Sequence, residues 1–160
     1  MIVDTAFGKN DIRGIFGENV TPEVFNYAGK GYVKYVCEKT GKEAKDLWFS
    51  VTYDARLHSI ELKNALIKGV TSLGANVIEL GLAPTPLGYF SEVKKFDVNG
   101  KTIEVEGALI VTASHNPKEY NGLKMTFNRQ SLNEEQINWF KKLYYYGLGE
   151  FFYTNNINNT

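Results

Sequence analysis

Six consecutive residues, Thr112-Ala113-Ser114-His115-Asn116-Pro117, place a hydroxyl, an imidazole, an amide and a proline side by side without spacers. A serine on a stiff turn beside a histidine can serve as a nucleophile or as a carrier of a phosphoryl group. Lys118, Tyr120, Asn121-Gly122 and Lys124 follow at once. Their two ammonium groups suit the charge of a phosphate. Lys124 falls in an alternating segment and could project into the same cleft as Ser114. The same composition also makes a plain polar turn, because Ser, Asn and Pro are ordinary turn residues. Arg13, taken alone, reads as a surface arginine.

The elements around this loop decide where it can sit. Ala108-Leu109-Ile110-Val111, directly before it, is wholly apolar, as a central strand covered on both faces should be. Thr21-Pro22-Glu23 opens a first helix with a hydroxyl cap, a proline in the first turn and an acid at the positive dipole end. Phe25, Ala28, Tyr32, Tyr35 and Val36 give its apolar face, and Gly41 offers a stop. Leu47–Val51 reads as a buried strand. In a second helix, Leu62, Ala65, Leu66, Gly69, Val70 and Leu73 share one face before Gly74, and Gly69 is expected to let that helix approach the sheet. Ala75–Gly81 is a further strand. Pro84-Thr85-Pro86 predicts a turn, with a short helix starting after Pro86 and running to about Lys95.

Asn99-Gly100 between two short β-forming runs signals a tight hairpin. Gly122–Phe127 alternates and is expected to be a more peripheral strand. Asn133 and Gln136 have the spacing of a capping box, opening a last helix with Ile137, Phe140 and Tyr144 as its stripe and a stop near Gly147. The alternation predicts an α/β fold, a three-layer α/β/α sandwich around a mixed, mostly parallel sheet of about four strands, plus a small hairpin.

Composition removes several function classes. At about 150 residues per domain, 160 residues make one globular unit. A hydrophobic share of 43% with ten Tyr and ten Phe is too rich for disorder. Eighteen basic residues against eighteen acidic ones leave no field for a polyanion, so nucleic acid is not an expected partner. One Cys and two His cannot close a structural zinc site. No uncharged run nears the roughly 20 residues of a membrane span, and the first residues do not read as a secretory signal, so the expected place is the cytoplasm. No glycine-rich nucleotide loop occurs.

Thr112–Pro117 followed by Tyr120-Asn121-Gly122-Leu123-Lys124 resembles the active-serine signature of the α-D-phosphohexomutase family, which contains phosphoglucomutases and phosphomannomutases. Asp11-Ile12-Arg13-Gly14 is similar to its N-terminal Asp-Ile-Arg-Gly element, Asp54-Ala55-Arg56 to its Asp-x-Arg, and Gly81–Pro86 to its Thr-Pro turn. The likeness runs over most of residues 5–130. It implies that residues 1–150 form the family's first domain, with 151–160 a frayed tail. It implies that Ser114 carries the phosphoryl group and exchanges it with a hexose phosphate (glucose, mannose or both) through a bisphosphorylated sugar. His115 and Lys124 then stand near that group, Lys124 as an acid–base candidate, while Arg13, Asn116 and Lys124 bind phosphate. The implied cofactors are Mg²⁺, which touches Ser114 through its phosphate and is held mainly by aspartates of another domain, and a hexose 1,6-bisphosphate activator.

Asn10 stands where the family usually has an aromatic. The family's metal loop, sugar-recognition loop and terminal phosphate clamp have no counterpart in the 160 residues. The expectation is therefore an N-terminal domain, excised or truncated, whose partners are hexose phosphates and three further domains, and which alone is inactive. A non-catalytic module that binds sugar phosphates or a protein is the alternative. Thr112 leans away from the glucosamine-phosphate branch. The remaining readings are plainer: His58 as a capping or surface residue, Asp54 and Arg56 as a pair fixing a turn, Thr85 as shaping its own turn, and Cys37 as packing. The aromatics Tyr144–Tyr146 and Phe151–Tyr153 are read as a surface for another domain or as local core.

Overall fold

The structure, a computed structural model, describes residues 4–146. Eight strands and four α-helices follow in chain order: β1 Ile12–Ile15, α1 Pro22–Thr40, β2 Trp48–Tyr53, α2 Ser59–Ser72, β3 Asn76–Leu82, α3 Thr85–Phe90, β4 Phe96–Val98, β5 Lys101–Ile103, β6 Gly107–Val111, β7 Tyr120–Phe127, β8 Gln130–Ser131 and α4 Glu134–Tyr146. The large sheet has the order β1-β7-β6-β2-β3, with β8 on β7, while β4 and β5 pair only with each other.

The layered α/β expectation holds, but the sheet has six strands instead of about four. β2 runs parallel to β3 and β6, whereas β7 is antiparallel to β1, β6 and β8, so parallel pairing is the minority. The reason is connection length. The segment from β6 to β7 is too short for the crossover of a dozen or more residues that parallel neighbours need. β7, expected at the periphery, lies inside the sheet between β1 and β6. β1 was visible only as a motif, because four residues with a glycine carry little strand signal.

The local caps form as the residue types dictate. Thr21 Oγ1 accepts from Val24 N at 3.2 Å, and Gly41 ends α1 at φ 72°. Asn133 and Gln136 bond reciprocally at 2.7 and 3.0 Å at the head of α4. Asn99 (φ 53°) and Gly100 (φ 80°) make the hairpin turn. α3 starts at Thr85, earlier than expected, and ends at Phe90 well before Lys95. Pro86 sits in its first turn, where the N–H it lacks would have no helical partner. The segment after residue 146, including the expected tail and Phe151–Tyr153, lies outside the described residues, as do the side chains of Tyr144–Tyr146.

The two sheet faces differ. Phe49, Val51, Leu109, Val111, Leu123 and Met125 face α1 and α2 in one continuous core. Gly69 does not face the sheet. A methyl group there would strike the Asn26 carbonyl of α1, and one on Gly29 would come within 2.6 Å of the Leu66 carbonyl of α2. The pair of glycines thus sets a close helix–helix crossing. Cys37 packs at the edge of this core, and burial pushes its thiol pKa up. The opposite face is small and polar: Ser50 and Thr52 of β2 and Thr126 of β7 are buried beside Ser91 and Glu92. α3 covers it with Gly88, where a methyl group would come within 2.6 Å of Ile110 Cδ1, and turns Leu87 and Phe90 outward, with Val93 exposed just beyond it.

Two measurements check this packing. Gly69→Ala should lose about 1–3 kcal/mol in chemical denaturation, since the clash is with backbone that can yield only by parting α1 from α2. Burial is the largest influence on Glu92 and raises its carboxyl pKa, against bonds from Thr126 and the Arg129 amide. A raised carboxyl pKa contributes stability below the unfolded value, lost as pH rises through the folded value. Glu92→Gln should therefore gain stability relative to wild type near neutral pH, and the gain should shrink as pH falls through the raised folded value and be gone below about pH 4.

Candidate active site

The C-terminal ends of β1, β2 and β6 meet at one rim of the sheet, and the 112–119 loop leaves β6 there. Ligands of open α/β sheets collect at such a rim. Ser114 occupies the left-handed region at φ 55° and is exposed, as is His115. Few non-glycine residues adopt that conformation without support. The support is a chain of hydrogen bonds. The Ser114 amide donates to Thr112 Oγ1 at 3.0 Å, and that hydroxyl donates to Asp54 Oδ2 at 2.9 Å. Asp54 Oδ1 accepts from Ser59 Oγ at 2.6 Å and from the Arg56 amide at 3.1 Å.

Arg56 completes the frame from the other side. Its Nε donates to Asp54 Oδ2 at 3.1 Å. Nη1 donates to the carbonyls of Pro117 (2.6 Å) and Tyr120 (3.1 Å), and Nη2 to those of Ser114 (3.0 Å) and Asn116 (2.8 Å). A guanidinium has five N–H donors, and all five are used. The expected Asp54–Arg56 pair exists. Its guanidinium, however, holds the serine loop, a role not legible in a two-residue spacing.

Arg13 is the contrasting case. Nη1 donates to Asn116 Oδ1 at 2.9 Å and Nη2 to Asp11 Oδ2 at 2.6 Å, while its buried Nε has no partner among the described residues. Lys124 Nζ lies 3.9 Å from the same Asp11 carboxylate oxygen. Arg13 and Lys124 thus share one acid, leaving positive charge and donors over for an anion. Register explains the meeting: Arg13 pairs with Gly122 across the β1–β7 ladder, two residues from Lys124. A methyl group on Gly122 would strike the Ile12 carbonyl and come within 3.0 Å of the Thr112 carbonyl, so only glycine lets the strands close here.

The structure brings Arg13, Asn116 and Lys124 together and presents Ser114 on the same loop. His115 is beside Ser114 in the chain, and among the described residues no side chain bonds its ring. Asn10 is exposed. His58 corrects the capping expectation: it stands at the head of α2 without a side-chain cap bond. Its ring stacks on Phe16 with centroids 4.5 Å apart, and Nδ1 meets Asn121 Nδ2 at 2.8 Å. Asn121 Nδ2 is the donor of this bond and His58 Nδ1 its acceptor. Asn121 is fully buried, also donating to Ser59 Oγ (2.9 Å) and accepting from the Gly122 amide (2.8 Å). Sequence reasoning missed Asn121 and Ser59 as loop supports. The only available signal was their proximity to the motifs.

Among the described residues, no group of three His, Cys, Asp or Glu side chains could hold a metal ion. Magnesium asks for an octahedral set of oxygens. With Asp54 bonded by Arg56, Ser59 and Thr112, and Asp11 by Arg13, these residues alone do not fit one.

The molecule is an α/β/α domain that presents a serine at the rim of its sheet. It belongs to the phosphoglucomutase/phosphomannomutase family: the model described as "Phosphoglucomutase/phosphomannomutase, alpha/beta/alpha domain I" matches residues 4–144. It is 38% identical over 138 residues to a phosphoglucosamine mutase of Alkaliphilus metalliredigens, covering 82% of this chain and 28% of that protein. It is 35% identical over 119 residues to a phosphoglucomutase/phosphomannomutase of Thermococcus kodakarensis, covering 74% and 24%. Among solved structures, a phosphoglucomutase/phosphomannomutase family protein from Burkholderia thailandensis superposes with a TM-score of 0.82 at 32% identity, covering 89% of this chain and 30% of that one. The chain spans about a quarter of the length of the curated relatives it matches. The leaning of Thr112 away from the glucosamine branch runs against the name of the Alkaliphilus relative. The Thr112 hydroxyl is engaged within the loop, so it does not report on the sugar. No helix among the described residues is long and apolar enough to cross a membrane.

Proposed function

We propose that Ser114 is the phosphoryl carrier of a hexose-phosphate mutase. In the forward step a sugar hydroxyl oxygen attacks the phosphorus of phosphoserine, and the bond from phosphorus to Ser114 Oγ breaks. Lys124 exchanges the proton that the hydroxyl loses and Oγ gains. The bisphosphorylated sugar reorients and returns its other phosphoryl group to Ser114. Such transfer needs positioning and charge neutralisation above all. The observation that carries the reading is the pairing of an exposed left-handed serine with Arg13, which is joined to the same loop through Asn116 and bonds one described partner through each Nη. A phosphate on Ser114 would offer Mg²⁺ one ligand, the others coming from beyond this chain.

The substrates that fit are hexose 1- and 6-phosphates. Glucose and mannose follow from the resemblance, and glucosamine joins them through the Alkaliphilus relative. Three further domains are the proposed partners. Support comes from Leu82, Leu87, Phe90 and Val93, which are between 43% and 63% exposed around α3. Apolar residues grouped on one surface mark a contact face.

Supplemented with the remaining domains of a relative and with Mg²⁺, the chain should gain one phosphoryl group from glucose 1,6-bisphosphate, mapped to Ser114 by mass spectrometry and absent from Ser114→Ala. Supplemented with the missing domains of a relative, the wild-type chain should isomerise one of the three hexose phosphates. Equal turnover by the alanine variant would overturn the assignment and favour a non-catalytic module. Phe90→Ser should change the chain's own stability by no more than about 0.5 kcal/mol, since Phe90 is 56% exposed. The same change should weaken reconstitution.

A further inference from the structure

From the five-donor saturation of its guanidinium we infer that Arg56 is a positioning residue, which sets the left-handed conformation of Ser114 and so the attack geometry at its hydroxyl, and takes no part in binding the substrate phosphate. It rests on the reading of Ser114 as the phosphoryl carrier. Four of its bonds go to carbonyls of residues 114, 116, 117 and 120, so one planar group spans the loop from the serine to the first residue of β7. The fifth bond ties that group to Asp54, which also anchors the Ser114 amide through Thr112. Ser114 is thereby gripped at both its carbonyl and its amide, the two groups whose directions define its φ and ψ. The Arg56 side chain is 13% exposed against 32% for Arg13. The two arginines of the site therefore divide the work: Arg13 retains donors for an anion, and Arg56 has none left.

Charge alone would let lysine replace Arg56. Geometry forbids it, since an ammonium has three donors and no plane with which to reach four carbonyls and a carboxylate together. The first measurement needs no variant. In nitrogen-15 spectra of the wild-type chain, the Arg56 Nη protons should give separate, slowly exchanging signals, while those of Arg13 average. Averaged Arg56 signals would overturn the inference. The second compares Arg56→Lys with wild type by amide hydrogen exchange. Protection should fall at Ser114 and Asn116, whose amides bond Thr112 Oγ1 and the Ala113 carbonyl within the loop that Arg56 holds, and persist in the α1–α2 core. Unchanged loop protection would again overturn it.

The third measurement follows phosphoryl uptake from glucose 1,6-bisphosphate by the chain supplemented with the remaining domains of a relative and with Mg²⁺. Arg56→Lys should lower the saturated rate by about 100-fold, the scale of a 1 Å misplacement. The half-saturating concentration should stay within about twofold. A raised half-saturating concentration with an unchanged rate would make Arg56 a phosphate ligand and refute the positioning role. Guanidinium ion at millimolar concentration should partly restore Arg56→Ala, and ammonium should not. If wild type takes up no phosphoryl group, the carrier reading of Ser114 fails, while the spectral and exchange results still decide whether Arg56 holds the loop.

Discussion

A serine held at φ 55° needs its peptide groups bonded in place, and the Asp54–Arg56 pair meets that need at this rim. The carboxylate reaches the Ser114 amide through the Thr112 hydroxyl, and the guanidinium takes the Ser114 carbonyl. Without Arg56, the loop would have to find donors for four carbonyls elsewhere. A charged pair suits this better than neutral groups, because bonds to ionised partners are shorter and about twice as strong. The pair is itself placed by the parallel core of the sheet. Asp54 directly follows β2, the amide of Asp54 bonds the Val111 carbonyl of β6 at 3.1 Å, and α2 begins at Ser59.

The fold serves this arrangement through two close approaches. Gly29 and Gly69 bring α1 against α2, which anchors the head of α2 and with it Ser59 and His58. Gly122 lets β1 close on β7, which lays Arg13 beside Asn116 and Lys124. The apolar core lies on the α1–α2 face of the sheet, and among the described residues the polar face carries the small cover of α3. Stability and site are thus separated: one face supplies burial, and the strand ends supply chemistry.

Much of this was readable along the chain. The Thr21 cap, the Asn133–Gln136 capping box, the hairpin turn and the apolar central strand are local patterns, and each formed as its residue types require. The parts that were not readable are those that depend on partners far away in sequence. β7 alternates like a solvated strand because one of its faces packs on polar residues, yet it lies inside the sheet. Gly69 signalled a close approach, expected at the sheet, that proved to be at a helix. α3 places its apolar residues outward, so its pattern gave no warning that Gly88 and Ser91 face the sheet.

By itself, the order of residues determined the layered α/β class, the serine loop at a strand's end and the residues able to meet an anion, since all of these rest on side-chain type and short spacing. Only the tertiary structure decided which arginine is spent and which is open. Arg13 and Arg56 are the same residue type, each two positions after an aspartate. Hydrogen-bond saturation depends on carbonyls some 60 residues away, and no local pattern encodes it.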